Sequence, residues 1–264
     1  MTELGNYLEF AKRLALEAGK IIKQNFVIGM DKEWKTDTTP VTSADTTINK
    51  MVIDKVSEQF PNHSVHGEEG DKLGTSEYQW VCDPVDGTMP FSHGVQIATF
   101  ALGLVKNGEP IVGVVYDPFM DRLFWAVKGQ GAYLNNKKIS VSDGDFSNAL
   151  IDLEGFPSTK PVIEASARFI DMLNKKGAHT TVLWSGILPC ALVAAGQYTA
   201  CIYNVPKPEE GAAIKILIEE AGGKVTDLFG NEQRYDQPVK GVLASNGKVH
   251  KQLVDMLAVF NLKQ

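Results

Sequence analysis

The chain has 264 residues, 44% of them hydrophobic and 22% charged, enough apolar surface for one large domain or two packed lobes, which excludes a disordered or fibrous polypeptide. A formal net charge of −6 at pH 7 argues against a nucleic-acid or anionic-membrane partner held by bulk electrostatics, since such partners attract clustered Lys and Arg.

Leu4, Leu8, Ala11, Leu14, Ala15, Ala18 and Ile22 recur at helical spacing, so the first two dozen residues are predicted to form one amphipathic helix. No basic stretch leading into an apolar core precedes it, and no later segment approaches the roughly 18 continuous apolar residues of a membrane span, so the expected location is the cytoplasm. Lys32 to Pro40 reads as a polar surface loop. Thr42-Ser43-Ala44-Asp45 then opens a second helix with capping chemistry; Ile48, Met51, Val52, Val56 and Phe60 supply its apolar face before Pro61-Asn62 stops it.

Ser64-Val65-His66 is a short β-prone run. From residue 97 four more follow, over 97–105, 111–116, 123–127 and 132–134, with the turn signal Lys106-Asn107-Gly108-Glu109 between the first two. This is the pattern of an antiparallel meander. Beyond about residue 146 strands (149–153, 180–184, 198–203, 224–227, 242–245) interleave with helices (161–176, 188–197, 209–221, 248–260), which predicts an α/β half with helices covering a sheet. The expected organisation is an α+β half over 1–145 and an α/β half over 146–264, packed as one unit because no linker, repeat or low-complexity segment separates them. Cys82, Cys190 and Cys201 lie far apart without a Cys-x-x-Cys spacing, so they read as buried small hydrophobes rather than disulfide or zinc partners.

The most informative run is Trp80-Val81-Cys82-Asp83-Pro84-Val85-Asp86-Gly87-Thr88. It sets two carboxylates three residues apart at the end of an apolar stretch and follows them with Gly-Thr. Hard divalent cations such as Mg²⁺ take oxygen ligands, and a site that also holds a phosphate ester leaves coordination positions open. A helix or tight turn beginning after Asp86 would aim the amides of Gly87 and Thr88 at a phosphate oxygen; the alternative is ordinary turn chemistry. The residue two before Asp86 is Pro84, which removes one of the two acids that an aspartyl-phosphate mechanism needs and favours a metal-activated water.

Gly67-Glu68-Glu69-Gly70 is a second acidic cluster, by itself also readable as a solvated turn. Two Mg²⁺ ions bridged by shared carboxylates need about four acids from different segments. Lys207-Pro208-Glu209-Glu210 supplies a further acid from the C-terminal half, although two Glu at a helix start also simply offset its dipole.

Taken together these motifs resemble those of the inositol monophosphatase family of Mg²⁺-dependent, lithium-sensitive phosphatases, over nearly the whole chain. The resemblance begins with Thr36-Asp37-Thr38-Thr39-Pro40-Val41-Thr42-Ser43-Ala44-Asp45. It continues through Gly67-Glu68-Glu69, Asp83 to Thr88, Phe91-Ser92-His93-Gly94, Gly113 to Pro118, Gly129-Gln130-Gly131-Ala132 and Glu220-Ala221-Gly222-Gly223. It implies a layered αβαβα sandwich, a homodimer, and two or three Mg²⁺ ions at the meeting of the two halves. Glu68, Asp83 and the Val85 carbonyl would hold the first ion; Asp83, Asp86 and Glu210 would hold the second. Asp45 and Thr88, with Glu68, would serve the attacking water, Asp45 having helix capping as its alternative. Gly87 and Thr88 would grip the phosphate, and Ser185, Gly186 and Tyr203 would border the leaving group.

Three departures from the family pattern concern that last region and the late acid. Glu210 stands where Asp is usual and adds one methylene; Pro189, within Trp184 to Pro189, replaces a polar side chain; Tyr203 stands where inositol-specific members carry Glu. The expected activity is hydrolysis of a small phosphorylated metabolite, with inositol monophosphate first. Histidinol phosphate follows on the resemblance of Lys207-Pro208 to histidinol-phosphate phosphatases, then fructose 1,6-bisphosphate and adenosine 3′,5′-bisphosphate. The different class of reading is a catalytically weak binding or regulatory member.

Overall fold

The computed structural model describes residues 2–36, 39–156, 158–205 and 207–260; Asp37 and Thr38 of the first family-like motif lie outside them. Helix α1 (Glu3–Asn25) starts where the Thr2 hydroxyl accepts from the Gly5 amide, and it buries Leu8, Ala11, Leu14, Ala15, Ala18 and Ile22 on one face. A two-residue ladder, β1 (Glu33–Trp34) with β2 (Pro40–Val41), corrects the reading of 32–40 as loop alone. Pairs this short lie below what a period-2 pattern can register. Helix α2 (Ser43–Gln59) follows, then β3 (Ser64–Gly67), β4 (Gly70–Lys72), β5 (Tyr78–Asp86) and the short α3 (Thr88–Ser92).

The meander β6 (Thr99–Lys106), β7 (Glu109–Asp117), β8 (Arg122–Val127) and β9 (Gly131–Leu134) runs as expected and gains β10 (Lys137–Ile139). Together with β3 to β5 it makes an eight-stranded sheet in the order β10-β9-β8-β7-β6-β5-β3-β4. The later elements are β11 (Leu150–Glu154), α4 (Lys160–Lys175), β12 (His179–Thr181), α5 (Ile187–Ala194) and β13 (Ala200–Tyr203). After them come α6 (Ala212–Glu220), β14 (Lys224–Thr226), β15 (Val242–Ser245) and α7 (His250–Leu257). Their strands form a five-stranded sheet, β12-β11-β13-β15-β14, in which β11 pairs in parallel with both neighbours.

Three apolar clusters mark the contacts between five layers. One joins α1 and α2 to the large sheet, one joins that sheet through α5 and α6 to the smaller sheet, and one joins the smaller sheet to α4 and α7. Strand alternation divides the faces. Phe100, Leu102, Leu104, Val112 and Val114 turn toward α1 and α2, whereas Ala101 and Val115 turn toward α6. Gly113 shares the inner face, and a Cβ there would come within 2.5 Å of Ile216 Cγ2 and 2.6 Å of the Ala213 carbonyl oxygen. Helix α6 therefore lies directly on the sheet backbone, and its largely apolar sequence, interrupted only by Lys215 and the closing Glu219 and Glu220, suits a position between two sheets. The architecture is the αβαβα sandwich expected.

The helix predicted over 209–221 is split: Pro208–Glu210 is a 3₁₀ turn and α6 begins at Ala212. The amide of Glu210 reaches only to the Lys207 carbonyl, and Gly211 to that of Pro208, the three-residue spacing common at helix starts. The free cysteines Cys82, Cys190 and Cys201 are all buried, as expected. Among the described residues no helix is long and apolar enough to cross a membrane.

Candidate active site

In an unbroken strand, residues three apart point to opposite faces, so Asp83 and Asp86 could not serve one centre. Strand β5 pairs with β6 as Asp83↔Ala101 and then Asp86↔Thr99. One more residue stands on β5 than on β6 between these pairs, a β-bulge, and the extra residue restores the parity. Pro84 suits the bulge because it has no N–H to leave unpaired. The Val85 amide donates to Asp83 Oδ1 at 3.0 Å, which fastens the first carboxylate to the bulge. Asp86 Oδ2 receives the hydroxyls of Thr99, at 2.7 Å, and Ser185, one from each sheet's side of the site.

After Asp86 the chain turns through Gly87 at φ +85°, a left-handed conformation that favours glycine. A Cβ there would also stand 3.0 Å from the Ile97 carbonyl oxygen and 3.4 Å from Ser185 Cβ. Thr88 opens α3. Its hydroxyl lies 2.7 Å from the Val85 carbonyl oxygen and 3.1 Å from Asp45 Oδ1, and its one proton serves one of them at a time. Asp45 Oδ2 accepts from the Thr42 amide at 2.9 Å and from the Thr42 hydroxyl. The capping and water-positioning readings of Asp45 thus fall on different oxygens. Burial pushes its pKa up to about 6, against the lowering effect of the Thr42 bonds.

Glu210 arrives from the 3₁₀ turn. Asp83, Asp86 and Glu210, all buried, each place a carboxylate oxygen within 4.8 Å of the others. Burial first, then repulsion from neighbouring carboxylates, holds Asp83 and Glu210 well above the usual carboxylate range; burial raises Asp86 to about 6 against the Ser185 and Thr99 hydroxyls, with Glu154 adding to the rise. The Tyr203 phenol counters part of the rise at Glu210, yet among the described residues Glu210 Oε2 is buried with no hydrogen-bond partner. Three buried carboxylates converging on one point, one with an orphaned oxygen, form a donor set that suits a hard divalent cation. Its neighbour Glu209 points elsewhere: Glu209 Oε2 lies 3.2 Å from His66 Nε2, and His66 Nδ1 lies 2.9 Å from Asp71 Oδ1.

Glu68 stands outside that group of three. Its Oε1 accepts from Lys35 Nζ at 2.9 Å and Lys207 Nζ at 3.0 Å, and Lys35 also bonds Glu69. Burial would raise the Glu68 pKa, but the two ammonium groups outweigh it and the net shift is downward. The Val85 carbonyl is engaged by Thr88 and, as an acceptor with two lone pairs, keeps capacity for a second partner.

On the leaving-group side, Ser185 is tied to Asp86, and the Tyr203 ring packs so closely on Gly186 that a Cβ there would fall 2.4 Å from it. Trp184 stands at φ +56° and is 62% exposed, an unusual backbone conformation for a bulky residue. The loop is fixed from below by β11: the Leu183 amide donates to Glu154 Oε1 at 2.6 Å, and Thr181 donates to Asp152 Oδ2 at 2.7 Å. Lys35, Thr99, Asp152 and Glu154 escape the motif reading. Thr99 and Lys35 carry no local signal, whereas the alternation in Leu150-Ile151-Asp152-Leu153-Glu154 places both acids on one strand face and was readable.

The sequence profile described as "Inositol monophosphatase family" matches residues 3–259. The chain is 34% identical over 258 residues to the fructose-1,6-bisphosphatase/inositol-1-monophosphatase of Aquifex aeolicus, covering 95% of this chain and 94% of that one. It is 32% identical over 261 residues to the inositol-1-monophosphatase of Bacillus subtilis, covering 97% of each. The solved structure of inositol monophosphatase from Anabaena (Nostoc) sp. PCC 7120 superposes with a TM-score of 0.83 at 32% identity, covering 97% of both chains.

Proposed function

The chain belongs to the inositol monophosphatase family of phosphoric monoester hydrolases, and from that premise we propose that it hydrolyses a small phosphate monoester with Mg²⁺ held at Asp83, Asp86 and Glu210. The observation that carries the reading is the buried carboxylate trio with its orphaned Glu210 oxygen. A bound divalent ion supplies Lewis acidity toward phosphoryl oxygens and brings the acidity of water near neutrality. The chain's own residues do the rest. Thr88 Oγ1 accepts from an incoming water while donating to Asp45 Oδ1, and Asp45, with a pKa of about 6, is ionised at neutral pH to receive the proton. The left-handed turn at Gly87 sets its amide and that of Thr88 beside the trio for a phosphate oxygen. Ser185 and Thr99 fix the Asp86 carboxylate by hydroxyl donation, and the Tyr203 phenol favours the ionised form of Glu210. The Val85 carbonyl and Glu68 complete the proposed ligand set.

Inositol monophosphate is the first ester for this site, and the names of the Aquifex and Bacillus relatives support it. Fructose 1,6-bisphosphate follows from the former name. Histidinol phosphate is the second reading, favoured by Lys207-Pro208 before the late acid. We propose a homodimer on the family resemblance, working in the cytoplasm. A phosphate-release panel of these esters and adenosine 3′,5′-bisphosphate across a Mg²⁺ titration tests the reading. Mg²⁺-dependent release from at least one ester, greatest from inositol 1-phosphate, is expected. No release from any of them at any Mg²⁺ concentration would overturn it in favour of a binding or regulatory protein.

A further inference from the structure

The turn that delivers Glu210 has little structure of its own. Pro208–Glu210 is a single 3₁₀ turn without a side-chain cap, closed by the Glu210 amide on the Lys207 carbonyl at 3.3 Å and the Gly211 amide on that of Pro208 at 3.0 Å. Bonds of this kind are poorer than those of an α-helix, so the depth at which Glu210 stands is set by what the turn rests against. On one side that is Tyr235, fully buried: a Cβ on Gly211 would come within 2.6 Å of its ring. On the other side it is His66.

His66 lies on β3 and bridges two carboxylates. Its Nδ1 is 2.9 Å from Asp71 Oδ1, on the residue paired with it across β4, and its Nε2 is 3.2 Å from Glu209 Oε2. Asp71 Oδ1 also accepts from the Gly67 amide at 3.2 Å, which fixes the outer end of the bridge to the strand. Glu209 is buried, and a buried carboxylate is costly without a partner. Among the described residues no well-directed hydrogen bond reaches its Oε2, and His66 is the one basic side chain in contact with it. The Lys207 ammonium acts on Glu68 first and on Glu210 and Glu209 as well, so it does not set the two neighbouring glutamates apart. The imidazole does.

Two residues beyond His66, the Glu68 amide donates to the Cys82 carbonyl at 3.2 Å, beside Asp83 on β5. The strand that carries His66 is thereby registered against the strand that carries Asp83 and, after the bulge, Asp86. Glu209 ties the turn to that frame while Glu210 turns to Asp83 and Asp86. Resting on the reading of this site as a divalent-ion phosphatase, we infer that the contact between His66 and Glu209 positions Glu210, holding the 3₁₀ turn at the depth where the Glu210 carboxylate completes the trio. His66 and Glu209 are positioning residues in this role, acting through the backbone of the turn.

Calorimetric titration of the full chain with Mg²⁺ in the absence of substrate tests this, the component of the isotherm that Asp86→Asn removes being that of the trio. Glu209→Leu should weaken that component by about ten-fold or more, the scale on which partners behind metal ligands act. Two amide substitutions of His66 separate positioning from packing, because a Gln amide nitrogen falls near the place of Nε2 and an Asn amide nitrogen near that of Nδ1. His66→Gln keeps a donor toward Glu209 and should follow the wild type. His66→Asn keeps only the Asp71 side and should weaken Mg²⁺ binding as Glu209→Leu does. The double variant His66→Asn/Glu209→Leu should bind no more weakly than either single one, since both remove the same contact. Equal affinities in folded His66→Gln and His66→Asn, a Glu209→Leu isotherm matching the wild type, or losses that add in the double variant would overturn the inference; the two His66 substitutions decide it if Glu209→Leu fails to fold. A wild-type isotherm lacking the component would instead mark failure of the divalent-ion reading, and the inference would fall with it.

Discussion

Two groups of buried acids lie on either side of Ser185, and they resolve the same electrostatic problem differently. Asp152 and Glu154, on one face of β11, are raised to about 6 and about 8 by burial and, for Glu154, next by its neighbour. Among the described residues Asp152 Oδ1 has no donor unless Glu154 carries the proton. One proton shared between the two carboxyls, with the Leu183 amide and Thr181 hydroxyl as further donors, satisfies the pair as a structural clamp under the 181–185 loop. Asp83, Asp86 and Glu210 are as deeply buried, but three carboxylates converge within 4.8 Å. A proton neutralises one of them and cannot bridge three. Raised pKa values alone do not distinguish a clamp from a metal site; the number of oxygens aimed at one point does.

The comparison breaks most sharply under substitution of the trio. Asp86→Asn should lower phosphate release by about 10³-fold or more, the scale of losing a group that acts with the metal, with far-ultraviolet circular dichroism unchanged. Normal turnover in that variant would contradict the ligand assignment.

A smaller effect follows from ion binding itself. Mg²⁺ at about 100 times its dissociation constant stabilises the folded chain by about 2.7 kcal/mol, equivalent to a rise in Tm of about 5–10 °C for a chain of this size. Differential scanning calorimetry of the wild type should record that rise, and Asp83→Asn should lose it. A wild-type Tm indifferent to Mg²⁺ would count against the site.

The pH dependence of stability sharpens the contrast further. For Asp45, Asp86 and Asp152 the folded pKa, about 6, exceeds the ordinary carboxylate value, and for Glu154 it is about 8. Through these four groups the folded state binds more protons than the unfolded state between about pH 4 and 8; His250, pushed down to about 4 by burial, opposes them only below its ordinary value, so the four carboxyls prevail and stability falls as pH rises through that window. Chelated protein should melt higher at pH 5.5 than at pH 7.5, by an amount worth about one to a few kcal/mol. Saturating Mg²⁺ should narrow the difference by ionising the trio while leaving the contribution of the β11 pair. A Tm that climbs from pH 5.5 to 7.5 without metal would contradict this.

Much of this site is legible in the chain, and the rest fails for identifiable reasons. Asp83-Pro84-Val85-Asp86-Gly87-Thr88 announces itself because carboxylates, a residue without an N–H and a glycine in sequence leave few local uses. What the hexapeptide does not reveal is the bulge against β6, since that depends on the register Asp83↔Ala101 and Asp86↔Thr99. Glu210 is reachable from Pro208 and the need for a late acid, but its separation from Glu209 depends on His66 and the 3₁₀ turn. Lys35 and Lys207 meet on Glu68 from segments 33 and 139 residues away, a contact no local pattern encodes. The layered fold was readable from the change of period near residue 97 and the later alternation, whereas β1, β2, β4 and β10, of two or three residues each, offer too little pattern.

The smallest expected effect belongs to the clamp. Glu154→Gln keeps a donor for Asp152 and an acceptor for the Leu183 amide, so stability at pH 7 should change by less than about 1 kcal/mol and phosphate release by less than about three-fold. A collapse of activity comparable to that of Asp86→Asn, measured in the same assay, would place Glu154 in the metal machinery.

The most direct test of the ligand assignment is anomalous diffraction from crystals soaked in Mn²⁺. The predicted result is an anomalous peak about 2.0–2.3 Å from carboxylate oxygens of Asp83, Asp86 and Glu210. An empty trio, or a peak bound only by other residues, would contradict it.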